Sequence, residues 1–238
     1  MSQSNASFSE SPIAHAFLWP FKWLISIAFM LALSSLLTIG VHVWNARQQI
    51  ELRPQALEQA VFDRTAEAIS GAGPWGLNTQ LAQRISDGLY HCFFRWTSIH
   101  DEMTKIDGPQ PLNKADSAYR NLVIVPYQKD IVIAMIAIQI YGLRLMILVS
   151  ALPILLLVYW AGFLDGLVER SIRKLGAARE SASLYHRAKY MQLMGFGMLF
   201  LGFLSWPSFI DPAWVFLPTA AALAYLVRLQ WKYYKKYL

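Results

Sequence analysis

The feature that most constrains this chain is a set of four long apolar stretches that carry almost no charge. They cover residues 23–44, 131–164, 191–206 and 212–229. The hydrocarbon core of a bilayer is about 30 Å thick and is crossed by about 20 apolar residues in an α-helix. Only 15% of the 238 residues are charged, whereas soluble domains carry about 25%. We therefore predict an all-α polytopic membrane protein with four transmembrane helices and a small helical extracytoplasmic domain.

The second apolar stretch is too long to lie entirely inside a membrane. As one helix, residues 131–164 would extend for about 50 Å. Arg144 interrupts this stretch. A charge is costly at the centre of a bilayer but tolerated near its surface, where the side chain can reach the headgroups. We therefore predict one long helix that crosses the membrane over residues 145–164 and continues outside it over residues 128–144.

The connection between the third and fourth stretches is very short. Residues 207–211 form the whole loop, and Asp211 precedes Pro212 in a sequence typical of a turn. A loop of this length only allows the chain to reverse direction. We therefore predict that the last two membrane helices form an antiparallel hairpin.

The distribution of basic residues predicts the orientation in the membrane. Residues 165–190 contain six Lys or Arg against three Asp or Glu, and the tail from Arg228 contains four basic residues and no acidic one. Loops rich in Lys and Arg remain in the cytoplasm. We therefore place residues 1–22, 165–190 and 230–238 in the cytoplasm of a bacterium. The protein then lies in the inner membrane with both termini inside.

This orientation places residues 45–130 in the periplasm. Residues 45–70 are rich in Gln, Ala and Glu, which favours a helix. A second helix is predicted over residues 78–96, because its apolar residues recur at helical spacing on one face. They are Leu81, Ile85, Leu89 and Phe93. We predict a small helical domain that packs on the outer part of the long second helix.

No motif in the sequence indicates catalysis. The chain has no Walker loop, H-E-x-x-H, G-x-S-x-G or C-x-x-C pattern. No two of its five histidines have the spacing of two metal ligands on one helix, and His42 is interpreted as an interfacial side chain. Arg144 has no carboxylate partner in any predicted span, which disfavours a transporter. We expect no enzymatic activity, metal or cofactor.

The cytoplasmic segment and the helix ends beside it contain the residues that we predict to make specific contacts. Gly162 and Gly166 form a G-x-x-x-G pattern suited to helix packing, and Gly195 and Gly202 share a face of the third span. These glycines could also bring copies of the chain together in a homo-oligomer. Asp165 requires a partner, which Arg170 or Arg173 could supply. The predicted protein-contact residues are Asp165, Gly166, Arg170, Arg173, Arg179, Glu180, Ser181, Tyr185, His186 and Lys189. The simpler alternative is a basic loop that binds lipid headgroups.

The same segment resembles the integrating-conjugative-element membrane protein family. The similarity consists of D-G-L-V-x-R-x-x-R from Asp165, R-E-S from Arg179 and Y-H-x-A-K from Tyr185, and it is extended by the Asp211-Pro212 turn and the basic C-terminus. Residues 175–178 are less glycine-rich than the family pattern, and the outer domain contains no matching motif. The resemblance implies an inner-membrane component of a conjugative apparatus that includes a TraD-like coupling ATPase and a type IV secretion channel.

Two functional hypotheses follow. In the first, the protein is a structural or adaptor subunit that contacts the coupling ATPase or the base of the channel. In the second, it is a surface-exclusion or self-recognition protein that acts through its periplasmic domain. We expect lipid and other conjugation proteins as partners. Direct nucleic-acid binding is not expected, because Asp165, Glu169 and Glu180 dilute the basic charge of the loop.

Overall fold

A computed structural model describes residues 12–48, 54–70, 79–105, 122, 124–175 and 182–234. Within these ranges the chain is helical and contains no β-strand. Its α-helices are α1 (Pro12–Gln48), α2 (Pro54–Ser70), α3 (Thr79–Tyr90), α4 (Ile99–Thr104), α5 (Val125–Leu175), α6 (Ala182–Ser205) and α7 (Pro212–Lys232), and a π-helical turn (His91–Arg95) follows α3.

Helix α5 is the axis of the fold. Its 51 residues extend for about 76 Å, and α1, α2, α3, α6 and α7 all pack against it. The predicted long second helix is present, but it continues past residue 164 to Leu175, so residues 165–175 are helical and not part of a loop as predicted. Among the residues that the structure describes, three helices are long and apolar enough to cross a membrane, namely α1 over Leu24–Gln48, α5 and α7. The prediction of an all-helical membrane protein is therefore confirmed for these three candidate spans, whereas the predicted fourth span stays a prediction.

Helices α2 and α3, from the part of the chain predicted to lie outside the membrane, pack closely on the first half of α5. The Ser86 hydroxyl of α3 donates to the carbonyl oxygen of Gln139 at 3.1 Å. A Cβ atom at Gly142 would lie 2.6 Å from the Cα atom of Ser86, so glycine permits this approach. At the far end of α3, the Tyr90 hydroxyl lies 2.7 Å from Nδ1 of His100, and burial raises the pKa of Tyr90 above its ordinary value. The Tyr90 hydroxyl also lies 3.8 Å from Sδ of Met135 on α5, so α3 contacts α5 near both Ser86 and Tyr90.

Arg144 lies inside the helical bundle and does not reach out to the surface as we predicted. Its side chain is buried, and its guanidinium donates to the carbonyl oxygens of Phe203, Trp206 and Ser208. These carbonyls belong to the end of α6 and the following loop, where a helix leaves its last C=O groups without partners. The positive charge also suits the negative end of the helix dipole. Arg144 therefore joins α5 to the α6–α7 turn.

His42 is likewise buried instead of interfacial. Its Nδ1 atom lies 2.6 Å from Oε2 of Glu58, and both side chains are almost completely shielded from solvent. Glu58 belongs to α2, so the pair links the first span to the outer domain. Burial disfavours the positive charge of Arg144, and the negative charge of Glu58 offsets part of this cost. The burial of Glu58 was not expected, because Glu58 lies outside every predicted span.

The turn between α6 and α7 has the predicted form. Asp211 is the N-cap of α7, its carboxylate accepts a hydrogen bond from the Ala213 amide at 2.9 Å, and Pro212 occupies the first helical turn. Phe203 and Phe216 then pack edge to face with their ring centres 5.3 Å apart. The two helices therefore form the expected antiparallel pair.

Candidate functional site

Helices α5 and α7 come into backbone contact at the G-x-x-x-G pattern. A Cβ atom on Gly162 would lie 2.6 Å from the carbonyl oxygen of Ala224, and one on Gly166 would lie 2.8 Å from that of Arg228. Only hydrogen in place of a side chain allows this separation. The two glycines therefore set the distance between the helices and bring the polar residues beyond them together.

Four charged residues join the two helices beside this contact. Asp165 Oδ2 lies 3.0 Å from Nε of Arg228, while Glu169 pairs with Arg228 and with Lys232, whose Nζ atom is 2.7 Å away. Asp165 thus has its partner on α7, and the expectation that Arg170 or Arg173 would pair with it is wrong. We call these four residues, together with Gly162 and Gly166, the α5–α7 clamp.

The end of α7 is also held by the arginines of α5. Arg173 donates to the carbonyl oxygen of Lys232 at 2.9 Å, and its guanidinium lies 4.3 Å from the ring centre of Tyr233. Arg170 lies 5.4 Å from the ring centre of Tyr234. These cation–π contacts are individually weak, because all four side chains are partly open to solvent. Together they fix the orientation of the last turn.

The structure brings five of the predicted contact residues to this place. They are Asp165, Gly166, Arg170, Arg173 and Tyr185, the last with its ring 5.7 Å from that of Tyr234. His186 and Lys189 lie nearby on α6 and are exposed. The predicted residues Arg179, Glu180 and Ser181 lie outside the described residues.

The two glycines predicted on α6 lie in a different environment. A Cβ atom on Gly195 or Gly202 would have no atom within 4 Å. Neither glycine therefore forms a close contact with another helix of the described chain. A contact between two copies of the chain remains a prediction.

The basic partners in the clamp, Arg228 and Lys232, were not predicted from the sequence. Asp165 and Glu169 are four residues apart, as are Arg228 and Lys232, so each pair lies on one face of its helix. This matching spacing of opposite charges was the signal that could have paired α5 with α7. It is informative only once the two helices are known to be neighbours.

Charged and aromatic side chains surround the end of the α5–α7 clamp. Among the residues that the structure describes, no group of three or more His, Cys, Asp or Glu could hold a metal ion. Both carboxylates of the clamp face basic groups of α7. Lys174, in the last turn of α5, is exposed. The exposed charge at this end of α5 is therefore mainly positive.

Glu169→Gln should loosen the end of α7. The amide keeps the shape of the side chain but loses its charge, so the ion pairs with Arg228 and Lys232 disappear. We expect a loss of about 1 kcal/mol in stability, because the groups are partly exposed, and faster amide hydrogen exchange over residues 228–233. Asp165→Asn is the matched control. Its carboxylate has one partner and is about half exposed, so its effect should be smaller. Equal exchange rates in both variants and the native chain would contradict this account.

Comparison with known proteins identifies a family. Residues 65–235 match the model of the DtrJ-like family, described as IncC plasmid conjugative DNA transfer protein DtrJ-like. No curated protein and no solved structure matches the chain. The expectation of a component of conjugative transfer is confirmed at this level. Because the match covers more than half of the chain and includes the entire α5–α7 clamp, the chain belongs to the DtrJ-like family of conjugative DNA transfer proteins.

Proposed function

We propose that this protein is an inner-membrane structural or adaptor subunit of a conjugative type IV secretion apparatus. The observation that carries the proposal is the family match, which extends from the outer domain through the clamp. The subunit has no catalytic role in this proposal. It holds a cytoplasmic surface in a fixed position relative to the membrane, and that surface contacts a TraD-like coupling ATPase or the base of the channel. The similarity to the integrating-conjugative-element family supports a mobile element with its own transfer genes.

The proposed topology has four spans with both termini in the cytoplasm. Besides the three apolar helices, α6 crosses the membrane through its apolar second half, residues 191–205. Its antiparallel contact with α7 supports this, since a partner of similar length lies beside it. Residues 45–130 then form the periplasmic domain. The α5–α7 clamp lies at the cytoplasmic end of the bundle, where the basic loops are.

The electrostatics of the clamp support an acidic partner. Asp165 and Glu169 are occupied by Arg228 and Lys232. Lys174 is exposed and Arg170 is half-buried against the ring of Tyr234, and neither belongs to an ion pair between described residues. An acidic protein surface complements such a patch, and complementary charge raises the association rate and fixes the orientation.

Transfer frequency after deletion of the gene tests the proposal. Deletion in the donor alone should abolish transfer, and the native gene should restore it. Arg170→Ala combined with Lys174→Ala should restore it about tenfold less well at equal membrane levels. Arg84→Ala, an exposed cation of the outer domain, should restore it fully. Tyr234→Leu should also restore transfer fully, because it removes the ring beneath Arg170 but keeps the positive charge of Arg170.

Normal transfer from a donor that lacks the gene would overturn the proposal. Greater uptake by a recipient that lacks the gene would then support the alternative of a surface-exclusion protein.

A further inference from the structure

A groove of about 470 Å³ lies between α1, α5 and α6. Met30 of α1, Leu152 of α5 and Phe200 of α6 are among its lining residues, and all of them except Ser26 are apolar or glycine. It lies on the membrane-facing side of the bundle, where an apolar hollow is filled by apolar groups and not by water.

Hydrogen bonds join α1 and α6 at one end of the groove. The Thr38 hydroxyl lies 3.3 Å from both the carbonyl oxygen of Leu204 and the hydroxyl of Ser205. Toward the clamp end the two helices are separated by the groove. Gly197 widens it, because a Cβ atom there would meet no atom within 4 Å. The hollow therefore opens toward the end of the bundle that carries the α5–α7 clamp.

We propose that this groove binds one acyl chain of a phospholipid, and that Lys189 holds the phosphate of its headgroup. The groove follows α6 from Leu193 to Phe200, which is about 11 Å and fits within the roughly 15 Å of one leaflet. Its apolar lining and volume of about 470 Å³ suit a lipid tail, and its length corresponds to only about two turns of a helix.

The position of Lys189 matches the headgroup of such a lipid. Lys189 precedes Leu193 by one turn, and Leu193, Phe196, Gly197 and Phe200 follow it at intervals that place all five on one face of α6. Lys189 is exposed, and none of the ion pairs formed between described residues includes it. A cation at the mouth of an apolar groove complements an anionic amphiphile.

Native mass spectrometry of the full chain, extracted from bacterial membranes in a mild detergent, tests this proposal. The native protein should retain one phospholipid per chain. Gly197→Leu should lower the fraction of chains with a bound phospholipid about tenfold, because the new side chain fills the groove. Gly202→Leu is the matched control. Its Cβ atom also meets open space, but the residue does not line the groove, so the lipid should stay bound.

The headgroup contact is tested separately. Lys189→Gln should lower retention about fivefold, while Arg187→Gln, exposed on another face of α6, should not change it. Inorganic phosphate added at high concentration should not replace the lipid, because the tail supplies most of the binding.

Equal retention of phospholipid by the Gly197 and Gly202 variants would overturn the proposal. So would a photoreactive residue at Phe196 that crosslinks to a protein and not to lipid. None of these measurements uses DNA transfer. A negative result would therefore overturn the lipid proposal without contradicting the proposed function.

Discussion

Replacing both Gly162 and Gly166 with alanine should separate α7 from α5 and destabilise the protein by about 3 kcal/mol. Each new methyl group would lie 2.6 to 2.8 Å from a backbone carbonyl oxygen of α7. A flexible side chain could move aside, but the helix backbone cannot do so without moving the whole helix. The ion pairs of the clamp would then lengthen as well. Unfolding in mixed micelles, followed by tryptophan fluorescence, measures the effect.

The control for this variant lies in the same chain. Gly195→Ala combined with Gly202→Ala adds two methyl groups into open space. Alanine is favoured over glycine in helices by roughly 0.5–1 kcal/mol, so this variant should be at least as stable as the native chain. If the two double variants unfold alike, the close approach at Gly162 and Gly166 does not stabilise the bundle.

The helices themselves could be predicted from the sequence because their cause is local. An uncharged stretch long enough to cross a membrane forms a helix whatever its neighbours are. The long second helix followed from the same argument up to residue 164, but its extension to Leu175 was not predicted. The Asp211-Pro212 turn followed from turn chemistry. The G-x-x-x-G pattern of Gly162 and Gly166 was recognised as suited to helix packing, whereas contacts of Asp165 and Gly166 with another protein stay a prediction.

The partners of buried polar groups could not be predicted, because they depend on which helices are neighbours. His42 is paired with Glu58, and Asp165 with Arg228. In both cases the partner belongs to a different helix, and nothing in the sequence near either residue identifies it. The nearest opposite charge along the chain was the natural choice for Asp165. It was wrong because α7 lies closer in space, held there by Gly162 and Gly166.

Arg144→Met should have the largest effect of any single substitution, a loss of about 4 kcal/mol. Methionine fills a similar volume but donates no hydrogen bond, so the carbonyl oxygens of Trp206 and Ser208 lose their buried partner. The Glu58 carboxylate also loses a nearby positive charge. Arg144→Lys should fall between methionine and the native residue, because one ammonium group cannot reach both carbonyls as the guanidinium does. Unfolding in mixed micelles, followed by tryptophan fluorescence, ranks the stabilities of the native chain and the two variants.

Arg187→Met removes a comparable cation from the surface of α6 and should change stability little. Coupling to Glu58 is tested by Glu58→Gln in the Arg144→Met background. Since the neutral amide no longer needs a compensating charge, the double variant should lose less than the sum of the two single losses. Additive losses would mean that Arg144 acts only on the carbonyls at the end of α6. If Arg144→Met is as stable as the native chain, the α6–α7 turn is held by Asp211 and the apolar contacts alone, and the buried arginine does not anchor the hairpin to α5.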